Sequence, residues 1–279
     1  MESIFEQMKT ILAMDWNIEG ENKKVWEWIR DKKLTSAPAF KGNLYDTASV
    51  KIMFVGHAVN GWEFETDNCI NLEKTVETIL KQNNGLATLV KKEGFLYKKK
   101  NGTEGYYKHI NSRFWRLIKK VLEQLEESDE SNSIKDEKSW YEDAKSWNEK
   151  IVWTNLYNVA PRDGGNPEDK MIKPCMEQYV EMLRLQLEQY KPDVVIICPL
   201  KGYFIPWKRQ KSFDEIFVKN NDLESRTSDT IIWSGKLGST EAIVCKRPDK
   251  RGMSYEDVDN MSKEIVEYIN LKKKPKLLC

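Results

Sequence analysis

The sequence predicts an α/β fold: a central, four-stranded, mainly parallel sheet flanked by helices. Three observations carry that expectation. Four short runs are continuously apolar and rich in β-branched residues: KIMFVG (51–56), KIVWTNLY (150–157), DVVIICP (193–199) and EAIVCKRP (241–248). Strands buried on both faces of a parallel sheet have this pattern, whereas half-exposed strands alternate. Long amphipathic stretches separate the runs, as crossover connections between parallel strands require. No internal repeat interrupts the order.

The elements follow in chain order. MESIFEQMKTILAMDW at the start is amphipathic and acidic, so residues 1–50 read as an N-terminal helical segment rather than a secretory signal. The first strand runs into Gly56, and small or polar residues follow it: His57, Asn60, Gly61 and Trp62. Residues 63–149 form a long insertion, expected to be helical. Within it NSRFWRLIKKVLEQLEE (111–127) has helical periodicity, and LEESDESNSIKDEKS (125–139) is a polar, acidic loop. Met176, Val180, Leu183, Leu187 and Tyr190 recur at helical spacing, and Pro192 stops that helix. SYEDVDNMSKEIVEYINL (254–271) closes the chain, with Ser254 and Asp257 as its start signal. No composition break divides the 279 residues, so one domain is expected.

A formal net charge of +1 removes any global electrostatic case for nucleic acid and leaves only local basic runs, at 91–100, 208–211 and 246–251. The five cysteines form no CxxC pair, and Cys198 and Cys245 fall inside strand-like runs, so both read as buried thiols of a reducing compartment. No window approaches a membrane span. The expected protein is therefore a cytoplasmic monomer without metal or cofactor and without membrane contact.

In a parallel sheet the carboxyl ends of all strands share one rim. Here that rim collects His57, Asn60, Trp62 and Phe64 from the first loop. The second loop brings Asn155, Tyr157, Asn158 and Arg162. The fourth brings Arg247, Lys250, Arg251 and Met253. Amides read hydrogen-bond edges, aromatic rings stack on flat groups, and arginines hold phosphate or stabilise anions. There is no Ser-His-Asp set, no phosphate-binding GxxxxGKS loop and no histidine pair at ligand spacing. The collection suits a nucleobase on a phosphodiester chain.

These loops resemble those of the uracil-DNA glycosylase superfamily. VGHAVNG is similar to the glycine turn that carries an Asp or Asn in its first-strand motif. NSRFWRLI resembles the helix after the active-site loop in its mismatch-specific and single-strand-selective members. WTNLYNVAPRDGGNP resembles the motif in which an Asn reads the flipped base. CMEQYVEMLRLQLEQYKPDVVIICP resembles a helix and strand of the iron–sulfur-type members, and KRPDKRGMS stands where the family has its His-Pro-Ser loop. The resemblance spans about residues 50 to 270, in the family's order. It departs at three places: Asn60 lies far from Gly56, Arg247 and Asp249 replace the family's histidine and serine, and the cluster cysteines are missing except for a match at Cys175.

The resemblance implies a DNA glycosylase that extrudes a damaged or modified base from double- or single-stranded DNA and hydrolyses its N-glycosidic bond. It would act without a cluster, on deaminated bases or on bulky bases of invading phage DNA. In that scheme Asn155 reads the base edge, with Trp62, Phe64 and Tyr157 stacking on it. Asn60 positions water, Arg247 and His57 serve the departing base, and Arg162, Lys250, Arg251 and Met253 contact DNA. Three alternatives remain open: a nucleic-acid-binding protein of the same fold without catalysis, a conventional uracil or deaminated-base repair enzyme, and a nucleoside hydrolase.

Overall fold

The computed structural model describes residues 3–18, 20–58, 66–81, 95–98, 104–107, 111–126, 147–162, 166–199, 217–219, 228, 230–248 and 252–273. The four expected strands are present and adjacent: β5 (Ile52–Ala58), β8 (Ile151–Tyr157), β10 (Val194–Ile197) and β13 (Thr240–Cys245). They pair in parallel in the order β13-β10-β5-β8. The sheet is wider than expected, with seven strands. β12 (Ile231–Leu237) and then β11 (Phe217–Lys219) extend it antiparallel beyond β13, and β4 (Phe40–Lys41) pairs antiparallel with β8 at the other edge.

Burial explains why the four central runs are apolar throughout. Met53, Val55, Val152, Val195, Ile197, Ala242 and Val244 pack on one face with α1 (Ile4–Leu12), α2 (Val25–Arg30), α3 (Leu72–Lys81), the short α5 (Asp169–Ile172) and α6 (Met176–Tyr190). Ile52, Phe54, Ile151, Trp153, Val194, Ile196, Cys198, Ile243 and Cys245 pack on the other, with α4 (Arg113–Leu125) and α7 (Tyr255–Lys273). Alternate residues thus serve opposite cores, and only positions toward the strand ends, such as Ala58 and Glu241, are partly exposed. Each large side chain so buried contributes about 1.5–3 kcal/mol. β12 has one covered face only, and its residues alternate between buried and more exposed.

The helix boundaries follow their local chemistry. Tyr190 ends α6 because Lys191 adopts φ 47° and donates its N–H to Leu187 O at 2.8 Å, just ahead of Pro192. Ser254 and Asp257 cap α7 reciprocally: Asp257 N–H donates to Ser254 Oγ at 3.0 Å, and Ser254 N–H donates to Asp257 Oδ2 at 2.6 Å. Arg116 of α4 grips Asp259 of α7 with two hydrogen bonds, at 2.8 and 2.6 Å. Removing the carboxylate leaves a half-buried guanidinium without its charge-assisted partner. Asp259→Ala is therefore expected to cost about 1.5–3 kcal/mol, seen as a lower denaturant midpoint with the slope unchanged.

Two expectations need correction. The N-terminal segment is not simply helical. Besides α1 and α2 it carries the hairpin β1 (Asp15–Ile18) and β2 (Glu21–Lys24), then β3 (Leu34–Ser36) and β4. β3 pairs with β9 (Val159–Pro161), which directly follows β8. The insertion likewise contains α3, α4 and the hairpin β6 (Phe95–Lys98) and β7 (Glu104–Tyr107). Strands of two to four residues are too short to show a period of two, so their pairing partners, not their sequence, define them. The acidic stretch from 127 onward lies outside the described residues.

Candidate functional site

β5 lies between β8 and β10, the two central strands that follow it in the chain. In an open sheet of this order, ligands bind in the crevice outside the carboxyl ends of the first and third strands. At that end Thr154, Val55, Ile197 and Val244 form one register row across the four parallel strands. The next row is Asn155, Gly56, Cys198 and Cys245. Gly56 and Asn155 are register partners, and Cys198 N–H donates to Val55 O at 2.9 Å.

Gly56 is not a terminal turn, as the sequence suggested. β5 continues through it to Ala58. The glycine is needed for what lies over it: a Cβ at position 56 would meet Asn155 Oδ1 at 2.5 Å. Asn155 is 6 % exposed, and its Nδ2 finds no hydrogen-bond partner among the described residues. A buried amide N–H without a partner costs about 1–3 kcal/mol. Such a cost at the mouth of a crevice fits a donor held for a ligand. Because the obstruction at Gly56 is the far end of a side chain, the backbone can accept a methyl group by displacing the amide. Gly56→Ala is therefore expected to leave the melting temperature nearly unchanged while reproducing the functional loss of Asn155→Ala, and the double variant should lose no more than either alone.

His57 is 5 % exposed, and Tyr157 meets it edge to face, with ring centroids 5.3 Å apart. Burial, and secondarily the nearby Arg247 charge, push the imidazole down to about 4. It is therefore neutral near pH 7 and cannot act there as a cationic acid. Arg247 follows β13, is half-buried and comes close enough for its charge to be felt at His57. Arg247 and the neutral His57 thus lie near one another, while the Asn155 amide lies over Gly56 on the sheet face that Trp153 shares.

Other expected site residues divide. Tyr157 is fully buried between His57 and Tyr179 of α6, whose ring is 5.3 Å away, so it has no open face for stacking. The structure makes it the support of His57 instead. Asn158, also at the rim, holds the N-terminal segment by donating from Nδ2 to Ala37 O at 3.0 Å. Met253 is half-buried against the core under α7, not projecting as a wedge. Arg162 directly follows β9, and its N–H donates to Lys33 O at 3.1 Å, which ties it to the N-terminal segment. Asn60, Trp62, Phe64, Lys250 and Arg251 lie outside the described residues.

Of two further features, the first was read from the sequence only through the family resemblance and the second was not read. The first turn of α4 is capped by Ser112, which accepts from Trp115 N–H at 3.5 Å. Trp115 packs on Trp153 at 5.2 Å, one alternation below Asn155, so NSRFW anchors this turn against the site-bearing strand. Tyr255, 45 % exposed at the start of α7, stacks with Arg113 and Arg116 at 5.5 and 5.0 Å. The second feature is β12. Its signal was present as the apolar alternation of IIWSGKL before Gly238, which takes φ 59° in a two-residue hairpin turn.

Among the described residues no group of three or more His, Cys, Asp or Glu side chains could hold a metal ion, and no helix is long and apolar enough to cross a membrane. No protein-family model matches the chain, and no curated protein matches it.

Proposed function

We propose that this chain is a DNA glycosylase that draws a damaged or modified base into the crevice above β5 and hydrolyses its N-glycosidic bond. The observation that carries the reading is Asn155: a nearly buried amide whose Nδ2 has no partner among the described residues, set over Gly56 near the carboxyl end of a central strand. An amide offers one acceptor and two donors, enough for two adjacent positions on a base edge. The enzyme gains access by flipping the nucleotide, which exposes that edge.

In this reading the glycosidic bond breaks with its electron pair passing to the base, leaving an oxocarbenium-like sugar that water then captures. The Arg247 guanidinium stabilises the departing anion, and the neutral His57 can donate one hydrogen bond to it without carrying charge. Asn60 is assigned the attacking water through the family resemblance. The replacement of a titrating group by Arg247 favours a rebuilt rim and a modified base, such as those of phage DNA, over ordinary uracil. The same replacement also suits a nucleic-acid-binding protein without catalysis, the second reading.

The test is to incubate the protein with DNA containing uracil, hypoxanthine or bulky phage-type bases, then treat with alkali. Strand cleavage at the modified position is expected with at least one DNA. Tight binding to the same DNAs with no alkali-labile site would favour the non-catalytic reading.

A further inference from the structure

Cys198 and Cys245 each lie one residue past the paired Ile197 and Val244, on adjacent parallel strands. Their sulfurs are 3.3 Å apart, both side chains are almost completely buried, and neither is in a disulfide. They occupy the sheet face covered by α4 and α7, in the same row as Gly56 and Asn155, and Arg247 stands two residues beyond Cys245. We propose that these two thiols form a redox switch beneath the rim: a hydroperoxide converts them to a disulfide and so shifts the crevice between two states.

The chemistry balances with the oxidant as the only added reagent. One thiol attacks the peroxide, breaking the O–O bond, and becomes a sulfenic acid as water leaves. The second sulfur then displaces the hydroxyl, an S–S bond forms, and a second water departs. Two thiols are oxidised and one hydrogen peroxide is reduced to two waters. The geometry suits an intramolecular step, because the sulfurs need approach by only a little over 1 Å to reach the ~2.05 Å of a disulfide.

Burial selects a small oxidant that enters through local opening. Closure draws together the ends of β10 and β13. The first of these adjoins Gly56, under the Asn155 amide, and the second leads to Arg247. A displacement of about 1 Å at a reacting group can cost up to about 10²-fold in rate. The functional consequence rests on the glycosylase reading; the cross-link itself does not.

The experiment treats the full-length protein with hydrogen peroxide, blocks remaining thiols, and maps peptides by mass spectrometry without reduction. Single-turnover excision is measured on the oxidised and reduced forms of the wild type, Cys245→Ala and Cys198→Ala. The expected result is a peptide joining Cys198 to Cys245 with the loss of two hydrogens. Wild-type excision should fall by about tenfold or more on oxidation and return with dithiothreitol, and both variants should keep an oxidised-to-reduced ratio near one. Thiols that survive peroxide, or oxidise separately without joining, would overturn the proposal, as would a cross-link that leaves the wild-type ratio near one. A reduced protein that excises no base from any DNA tested would sink the glycosylase reading. The mass of the peptide would then decide the thiol pair alone.

Discussion

Arg247→Ala is expected to slow single-turnover base release from pre-bound DNA by about 10²–10³, the usual loss on removing one preorganised donor to a developing anion. Binding should change far less, because one cation among several contributes modestly to a phosphate interface. The structure supplies an independent readout. Arg247 is the second cause, after burial, of the low His57 pKa. Without the guanidinium the imidazole should titrate closer to 6.5, while burial still holds it below that value; two-dimensional NMR of the ring would follow the change. A variant that binds weakly but reacts at the wild-type rate once bound would make Arg247 a phosphate clamp. Arg247→Lys keeps the charge and loses the planar fork, so a partial rate would assign the effect to charge and a full loss to geometry.

A large effect on stability is expected from His57. Its folded-state pKa is about 4 against 6.5 when unfolded. The unfolded chain therefore binds the extra proton first as pH falls. His57 lowers stability progressively from about pH 6.5 down to about pH 4, with no further loss below. A shift of this size corresponds to about 3 kcal/mol at the acid limit. Urea titrations between pH 7.5 and 4, in a background where His109 is replaced by Asn, should show that loss in the wild type. His57→Phe keeps a ring against Tyr157 and cannot titrate, so its stability should lie about 3 kcal/mol flatter across the same window. An identical pH dependence in both proteins would show that His57 titrates in the folded protein as it does in the unfolded chain, so that burial does not hold it neutral.

The central sheet was legible because two-sided burial leaves a mark in the sequence. Ile52, Met53, Phe54 and Val55 pack alternately on opposite cores, so all four must be apolar. The edge strands left less of a mark. Phe40–Lys41 joins the sheet through two residues, and Leu34–Ser36 becomes a strand only because Val159–Pro161 lies opposite. The candidate site was less legible. Asn155 lies near the carboxyl end of a central strand, and Gly56 matters for the space it leaves and not for a turn. Tyr157 looked available for stacking, yet α6 brings Tyr179 against it and closes it off, a contact between residues 22 positions apart that no local pattern announces. The row from Asn155 to Cys245 is likewise a product of register. Four residues from four separate runs share one level only once the strands are paired.

The most direct test of the account is excision by Asn155→Ala, measured beside its melting temperature. Removing the amide deletes a buried donor that has no partner among the described residues, so the fold should lose little and the melting temperature should hold or rise slightly. The flipped base should lose two hydrogen bonds at a desolvated rim, and excision should fall by about tenfold or more. Excision at the wild-type rate, or a fold that collapses without the amide, would contradict the assignment of Asn155 as the residue that reads the base.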